Sequence, residues 1–225
     1  MLIVIEGLDG AGKSTQVRKM KEYLSAKTGS LKYIHFPRYD APVYGKLISS
    51  YLKGDFGSIA QVHPNLVALL FAEDRHGAAP ELSSALQEGK TVLLDRYVYS
   101  NIAYQCAKLS CEQERSALRD WIFDTEYNCF GIPKPDLNIF LDVPLSFVEK
   151  KLSGDRGGAD RAYLEGSHDI HEADINFQRD VRSLYLSQCS LDSSFIRVDC
   201  SDEWGNMLAP DVIFGKLRKL VDEKL

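Results

Sequence analysis

The segment Gly7-Leu8-Asp9-Gly10-Ala11-Gly12-Lys13-Ser14 lies between an apolar run, Leu2-Ile3-Val4-Ile5, and an amphipathic stretch from Thr15 to Lys27. A strand, a glycine-rich turn and a helix in that order form a cradle for a phosphate chain. The glycines let backbone N–H groups face inward, the helix N-terminus and Lys13 add positive charge, and the Ser14 hydroxyl can ligate Mg²⁺. Gly7, Leu8, Asp9, Gly10, Ala11, Gly12, Lys13, Ser14 and Thr15 are therefore the candidate contacts to nucleotide phosphates. The bare pattern arises by chance in on the order of one per cent of chains this long. Its position between strand and helix makes chance rarer still, so ATP or GTP with magnesium is the expected ligand.

Short β-branched runs recur between helical segments: Leu2 to Glu6, Lys32 to Phe36, Thr91 to Asp95, Leu137 to Leu141 and Phe195 to Val198. They are continuous rather than alternating, which marks strands buried on both faces and hence an α/β fold, a five-stranded parallel sheet with helices above and below. Helices are expected at Lys13 to Lys27, Val43 to Leu52, Pro64 to Arg75, Pro80 to Glu88, Tyr97 to Lys108, Glu112 to Tyr127, Leu145 to Leu152, Asp169 to Gln188 and Pro210 to Leu225. Pro80 is expected to end the preceding helix. The polar, glycine-rich stretch 153–168, which carries Arg156 and Arg161, does not fit the alternation and reads as a mobile lid.

With 225 residues the chain suits one domain, residues 1–225. A net charge of −5 argues against broad nucleic-acid or anionic-membrane binding. The five cysteines include no Cys-x-x-Cys pair, so a disulfide framework or structural zinc is not expected. A strand starts directly after Met1 and no apolar run approaches membrane-spanning length, which predicts a cytoplasmic protein without a signal peptide.

Ligands of open parallel sheets bind beyond the carboxyl ends of the strands. Phe36-Pro37-Arg38-Tyr39 follows the second strand and Asp95-Arg96-Tyr97 the third, each bringing an arginine able to grip a phosphate that is not the nucleotide's own. Asp95 has the form of a second magnesium-organising carboxylate beside Ser14. Asp142, before Pro144, is expected in a turn or helix start. Phe71 and Arg75 share a helical face and could supply a stacking ring and a donor to a nucleobase, Arg75 otherwise pairing with Glu73 or Asp74. Tyr97, Asn101 and Tyr104 share another face, with Gln105 beside it. A metal site at His168 and His171 is not expected, because their spacing follows no ligand signature.

Together, the phosphate loop, Phe36-Pro37-Arg38, Phe71 with Arg75, and Asp95-Arg96-Tyr97 resemble the thymidylate kinases, P-loop nucleoside monophosphate kinases, from the first strand to the last helix. The resemblance implies transfer of the γ-phosphoryl of ATP to dTMP, giving dTDP, with Mg²⁺, usually in a homodimer. It implies that Asp9 contacts the sugar 3′-hydroxyl and that Arg38, Tyr39 and Arg96 hold the monophosphate, with Phe36 and Pro37 beside them. Phe71 would stack on thymine, Arg75 would meet a base carbonyl, and Asn101 and Gln105 would lie at the base edge. Tyr104 would fill the space of a ribose 2′-hydroxyl. Lys13, Arg96, Arg156 and Arg161 are the expected catalytic cations. Some members place an arginine where this chain has Gly10, and the others place it in the lid, which directs attention to Arg156 first and Arg161 second. The loop 199–202 is a candidate for adenine contacts.

Two rivals remain. A deoxynucleoside kinase would need a carboxylate base, for which Glu6 is available, although Tyr97 and the Phe-Pro-Arg element favour a phosphate acceptor. A regulatory GTPase would need an Asn-Lys-x-Asp element, and the sequence has none.

Overall fold

The computed structural model describes residues 1–153, 164, 169–172 and 174–225. Its strands are β1 (Leu2–Gly7), β2 (Leu31–His35), β3 (Thr91–Asp95), β4 (Leu137–Asp142) and β5 (Phe195–Asp199), paired in the order β2-β3-β1-β4-β5 and parallel throughout. Each of the five expected strands is present. β1 is central, with Ile3 opposite Leu93 on one side and Leu137 on the other, and all six of its residues are buried. A strand hydrogen-bonded on both edges and covered on both faces has no place for polar alternation, which explains its unbroken apolar sequence.

The helices are α1 (Lys13–Thr28), α2 (Tyr44–Leu52), α3 (Pro64–Gln87), α4 (Val98–Cys106), α5 (Glu112–Phe123), α6 (Leu145–Leu152), α7 (Ile175–Leu191) and α8 (Pro210–Asp222). α1 and α8 pack together on one face of the sheet, and α3, α4 and α7 pack on the other. Parallel pairing puts the strand C-termini, with Gly7, His35, Asp95, Asp142 and Asp199, along one edge. Loops leaving that edge carry the site.

Four expectations need correction. Pro80 does not end a helix, because α3 runs through it. Proline removes the hydrogen bond to the carbonyl four residues earlier, but both Pro80 and His76 are exposed, so water can satisfy that carbonyl while Ala78, Ala79 and Leu82 stay packed on the other side. α7 begins at Ile175 rather than Asp169: Asp174 caps it by accepting from Asn176 N, and residues 169–172 form a separate turn. α5 passes into a π-helical segment, Asp124–Cys129, which turns Glu126 fully inward. Asp142 is also not a helix-start residue. Its buried carboxylate accepts from Arg182 of α7 (Nε at 2.6 Å, Nη2 at 3.0 Å) and from Arg197 Nε of β5 at 2.7 Å, tying the sheet edge to α7.

Candidate active site

The phosphate loop closes tightly between β1 and α1. Ala11 N donates to Leu8 O at 3.3 Å and Thr15 N to Gly12 O at 3.2 Å, with Gly10 and Gly12 both at φ 74°. At Gly10 a Cβ would also come 3.3 Å from Lys151 Cβ of α6, so position 10 resists a side chain on two counts.

Lys13 opens α1 and its ammonium lies 3.7 Å from Asp95 Oδ1, while His35 Nδ1 lies 3.3 Å from Asp95 Oδ2. Burial pushes the Asp95 carboxyl up, but Lys13, His35 and Arg96 outweigh it and hold it well below the usual carboxylate range. Oδ1 is buried without a hydrogen bond. An ionised oxygen beside the phosphate loop that accepts no hydrogen bond, with the exposed hydroxyl-bearing Ser14 one residue from Lys13, suits a hard cation that prefers oxygen. Among the described residues no group of three His, Cys, Asp or Glu side chains is placed to hold a metal without help from a ligand.

Arg96 follows directly, with φ 68°. A side chain in that left-handed region costs about 1–2 kcal/mol, and its contacts offset the strain. Its Nη2 donates to Asp9 Oδ1 at 2.5 Å and to Tyr104 OH at 3.3 Å, and its Nη1 to Ser100 Oγ at 3.1 Å. Asp9 Oδ2 accepts from Tyr104 OH at 2.7 Å and Gln178 Nε2 at 3.2 Å. Although burial raises it, the Asp9 carboxyl is held below its ordinary value by Arg96 and Lys13.

Glu6 has another task. It is fully buried and accepts from Tyr97 N at 2.9 Å, Ser100 N at 3.1 Å, Tyr185 OH at 3.1 Å and the Ser100 hydroxyl. Burial raises its pKa. It caps the start of α4 and lies outside the lining of the cleft, so Glu6 is not placed there as the base that a deoxynucleoside kinase requires.

One cleft at this edge gathers Asp9, Phe36, Pro37, Tyr39, Phe71, Arg75, Arg96, Asn101, Tyr104 and Gln105. Of the expected acceptor-site residues only Arg38 stands apart. Its N and Nε donate to the Asp74 carboxylate at 2.8 and 2.9 Å and its Nη2 to Asp74 O at 2.6 Å, drawing it toward α3. Arg75 pairs with neither Glu73 nor Asp74. Its Nη2 donates to Glu126 Oε1 at 2.7 Å, its Nε donates to Oε2, and both residues are buried. Asn101 Nδ2 donates to Glu126 Oε1 and to Ala68 O, each at 3.0 Å, while its buried Oδ1 has no hydrogen bond.

Leu52, Ser100, Asp169 and His171 also line the cleft. His171 Nε2 lies 3.1 Å from Tyr51 OH and its ring centroid 5.3 Å from that of Tyr104. Burial and the nearby Lys108 charge hold its pKa well down, so the ring is neutral. The readable signal was the Asp169-x-His171 spacing, which makes an Asx turn with His171 N donating to Asp169 Oδ1 at 2.8 Å. His168, Arg156, Arg161 and the lid stretch 154–163 and 165–168 lie outside the described residues. In the loop after β5, Asp199 accepts from Ser201 N at 2.9 Å and Asp202 from Asn206 N at 2.7 Å. That loop leads into α8, where Pro210 O takes Gln16 Nε2 of α1 at 3.0 Å.

The chain is similar to known proteins along most of its length. The thymidylate kinase family model matches residues 5–208. The thymidylate kinase of Mycobacterium tuberculosis is 35% identical over 185 residues, covering 82% of this chain and 84% of that protein. The human thymidylate kinase is 38% identical over 150 residues, 67% of this chain and 64% of that protein. A solved thymidylate kinase from Candida albicans superposes with a TM-score of 0.74 at 27% identity, covering 99% of this chain and 91% of that one. With the model matching most of its length and the same sheet underneath, this chain belongs to the thymidylate kinase family.

Proposed function

We propose that the protein transfers the γ-phosphoryl of ATP to the phosphate of dTMP, releasing dTDP and ADP. The observation that carries this reading is the shared use of Asp9: it sits in the phosphate loop and, through Arg96 and Tyr104, forms one wall of the cleft that holds Phe71, Arg75 and Asn101. Phosphate cradle and nucleobase cleft therefore meet at one ion pair. Phe71 offers a stacking face, Arg75 a donor to a base carbonyl, and the unpartnered Asn101 Oδ1 an acceptor suited to a pyrimidine N3–H. The Tyr104 ring, fixed by its hydroxyl to Asp9, closes the sugar site against a ribose 2′-hydroxyl.

The acceptor is already an anionic phosphate oxygen near pH 7, so no general base is required. The protein has to align donor and acceptor and neutralise the charge on the oxygens between them. Lys13 sits on the nucleotide side and Arg96 with Tyr39 on the acceptor side, whereas Arg38, held by Asp74, would have to leave that pair to reach the acceptor phosphate. Arg156 or Arg161 supplies the remaining charge from the lid. Asp95 Oδ1 and the Ser14 hydroxyl would hold Mg²⁺, which, when bound, neutralises the phosphate oxygens. We place the enzyme in the cytoplasm as a homodimer. Among the described residues no helix is long and apolar enough to cross a membrane, and the exposed Leu47, Leu66 and Leu69 on α2 and α3 offer a surface for pairing.

A coupled ADP-release assay with Mg·ATP, offering dTMP, dUMP, ribo-TMP, dCMP and thymidine in turn, tests the assignment. Preference for dTMP is expected. Turnover of thymidine without turnover of dTMP would overturn it.

A further inference from the structure

Behind the cleft, Lys108 has no solvent-facing task. It follows α4, is half-buried, and its Nζ donates to Gln105 Oε1 at 2.5 Å and to Tyr51 OH at 2.6 Å, lying 5.0 Å from the centre of the Tyr51 ring. Tyr51 OH is in turn 3.1 Å from His171 Nε2. The Tyr51 oxygen has two lone pairs and can receive Lys108 whichever tautomer His171 adopts. Lys108 thus donates at both contacts, to Tyr51 and to the Gln105 carbonyl. A glutamine amide is ambiguous by itself, since its two ends differ only in donor or acceptor character. Here its oxygen is committed to Lys108. Among the described residues its nitrogen has no hydrogen-bond partner, although Gln105 is 1% exposed and lines the cleft with Phe71, Arg75 and Asn101.

We propose that Lys108 is a positioning residue for base selection: by holding Gln105 Oε1 it turns the Gln105 NH₂ into the cleft, so that the site demands a carbonyl on the base and rejects an amino group. The proposal rests on the assignment of this cleft to a pyrimidine monophosphate. Leaving a buried donor facing another donor costs roughly 1–3 kcal/mol, about 5- to 150-fold in specificity. Residues of the phosphate loop are untouched, so the effect belongs in KM for the acceptor.

The test compares kcat/KM for dTMP with that for 5-methyl-dCMP, which keeps the methyl group and exchanges the carbonyl for an amine. In Lys108→Met the ratio should fall about tenfold or more through KM, with kcat for dTMP changed less than threefold, and Lys108→Arg, which can only donate, should retain the ratio. An unchanged ratio in Lys108→Met overturns the proposal. Should that variant not fold, Lys108→Gln against Lys108→Arg decides, because a glutamine can accept from Gln105 and release its orientation. A ratio kept in Arg and lost in Gln supports the proposal, and equal ratios overturn it. Wild-type enzyme without turnover of either nucleotide would instead defeat the functional assignment.

Discussion

Removing Glu126 should expose how the cleft is held together. Arg75 is 2% exposed and Glu126 fully buried, and the carboxylate receives Arg75 Nε, Arg75 Nη2 and Asn101 Nδ2. In Glu126→Ala a guanidinium is left in the interior without its counter-charge, and the Asn101 amide loses one of its two acceptors. Three hydrogen bonds to the charged carboxylate at about 1.5–3 kcal/mol each give a gross loss of roughly 4.5–9 kcal/mol. Relaxation and water entry reduce this, and broken buried pairs typically cost about 3–5 kcal/mol. For a chain of 225 residues that corresponds to a fall in Tm on the order of 10 °C. Urea unfolding followed by circular dichroism measures the loss, and Arg75→Met/Glu126→Met should recover most of it, because no charge is then stranded. The kinetic consequence differs. Both the single and the double variant should raise KM for dTMP at least tenfold, since Arg75 and Asn101 no longer face the base correctly. A Glu126→Ala protein within 1 kcal/mol of wild type, or a double variant no more stable than the single one, would refute the pairing.

In Gly45→Ala the new Cβ would meet Tyr39 O at 2.4 Å and Arg38 O at 2.8 Å, both backbone atoms, so the loop bearing Arg38 and Tyr39 must move. A loss of about 1–3 kcal/mol in urea unfolding and a raised KM for dTMP are expected, and an unchanged KM would count against that loop's place at the acceptor. Arg156→Ala should lower kcat by on the order of 10³ with little change in KM for dTMP; an unchanged kcat moves the role to Arg161. Burial pulls the Lys108 ammonium down to about 7, whereas the unfolded chain keeps an ordinary lysine. Above pH 7 the unfolded state therefore binds more protons and stability should rise with pH. Between pH 6.5 and 9 wild type should gain about 2 kcal/mol relative to Lys108→Met in urea unfolding, and parallel pH profiles would exclude the shift.

Residues whose task is set within one element were legible in the sequence, and those whose task depends on a partner from elsewhere were not. The phosphate loop is legible because its glycines answer a local need, positive φ at Gly10 and Gly12, and β1 because burial on both faces leaves only one kind of residue acceptable. Phe71 and Arg75 were readable as one helical face for the same reason. The partner of Arg75 was not. Asp74 and Arg75 are adjacent, so they leave α3 about 100° apart, and Asp74 turns to Arg38 while Arg75 turns inward. The inward partner, Glu126, is 51 positions away and reaches the core only because α5 gives way to a π-helical segment. A regular α-helix over Glu112 to Tyr127 has no such break in register, so the apolar periodicity of that stretch could not point Glu126 at Arg75. The same holds for His171, whose sequence neighbours suggested a helix start while Tyr51 and Tyr104, from two other elements, define its place. The cleft residues could thus be named before their orientations could. In a site that reads a base through donors and acceptors, orientation decides which base is accepted, which is why selectivity has to be sought in buried partners such as Glu126 and Lys108 behind the residues that touch the ligand.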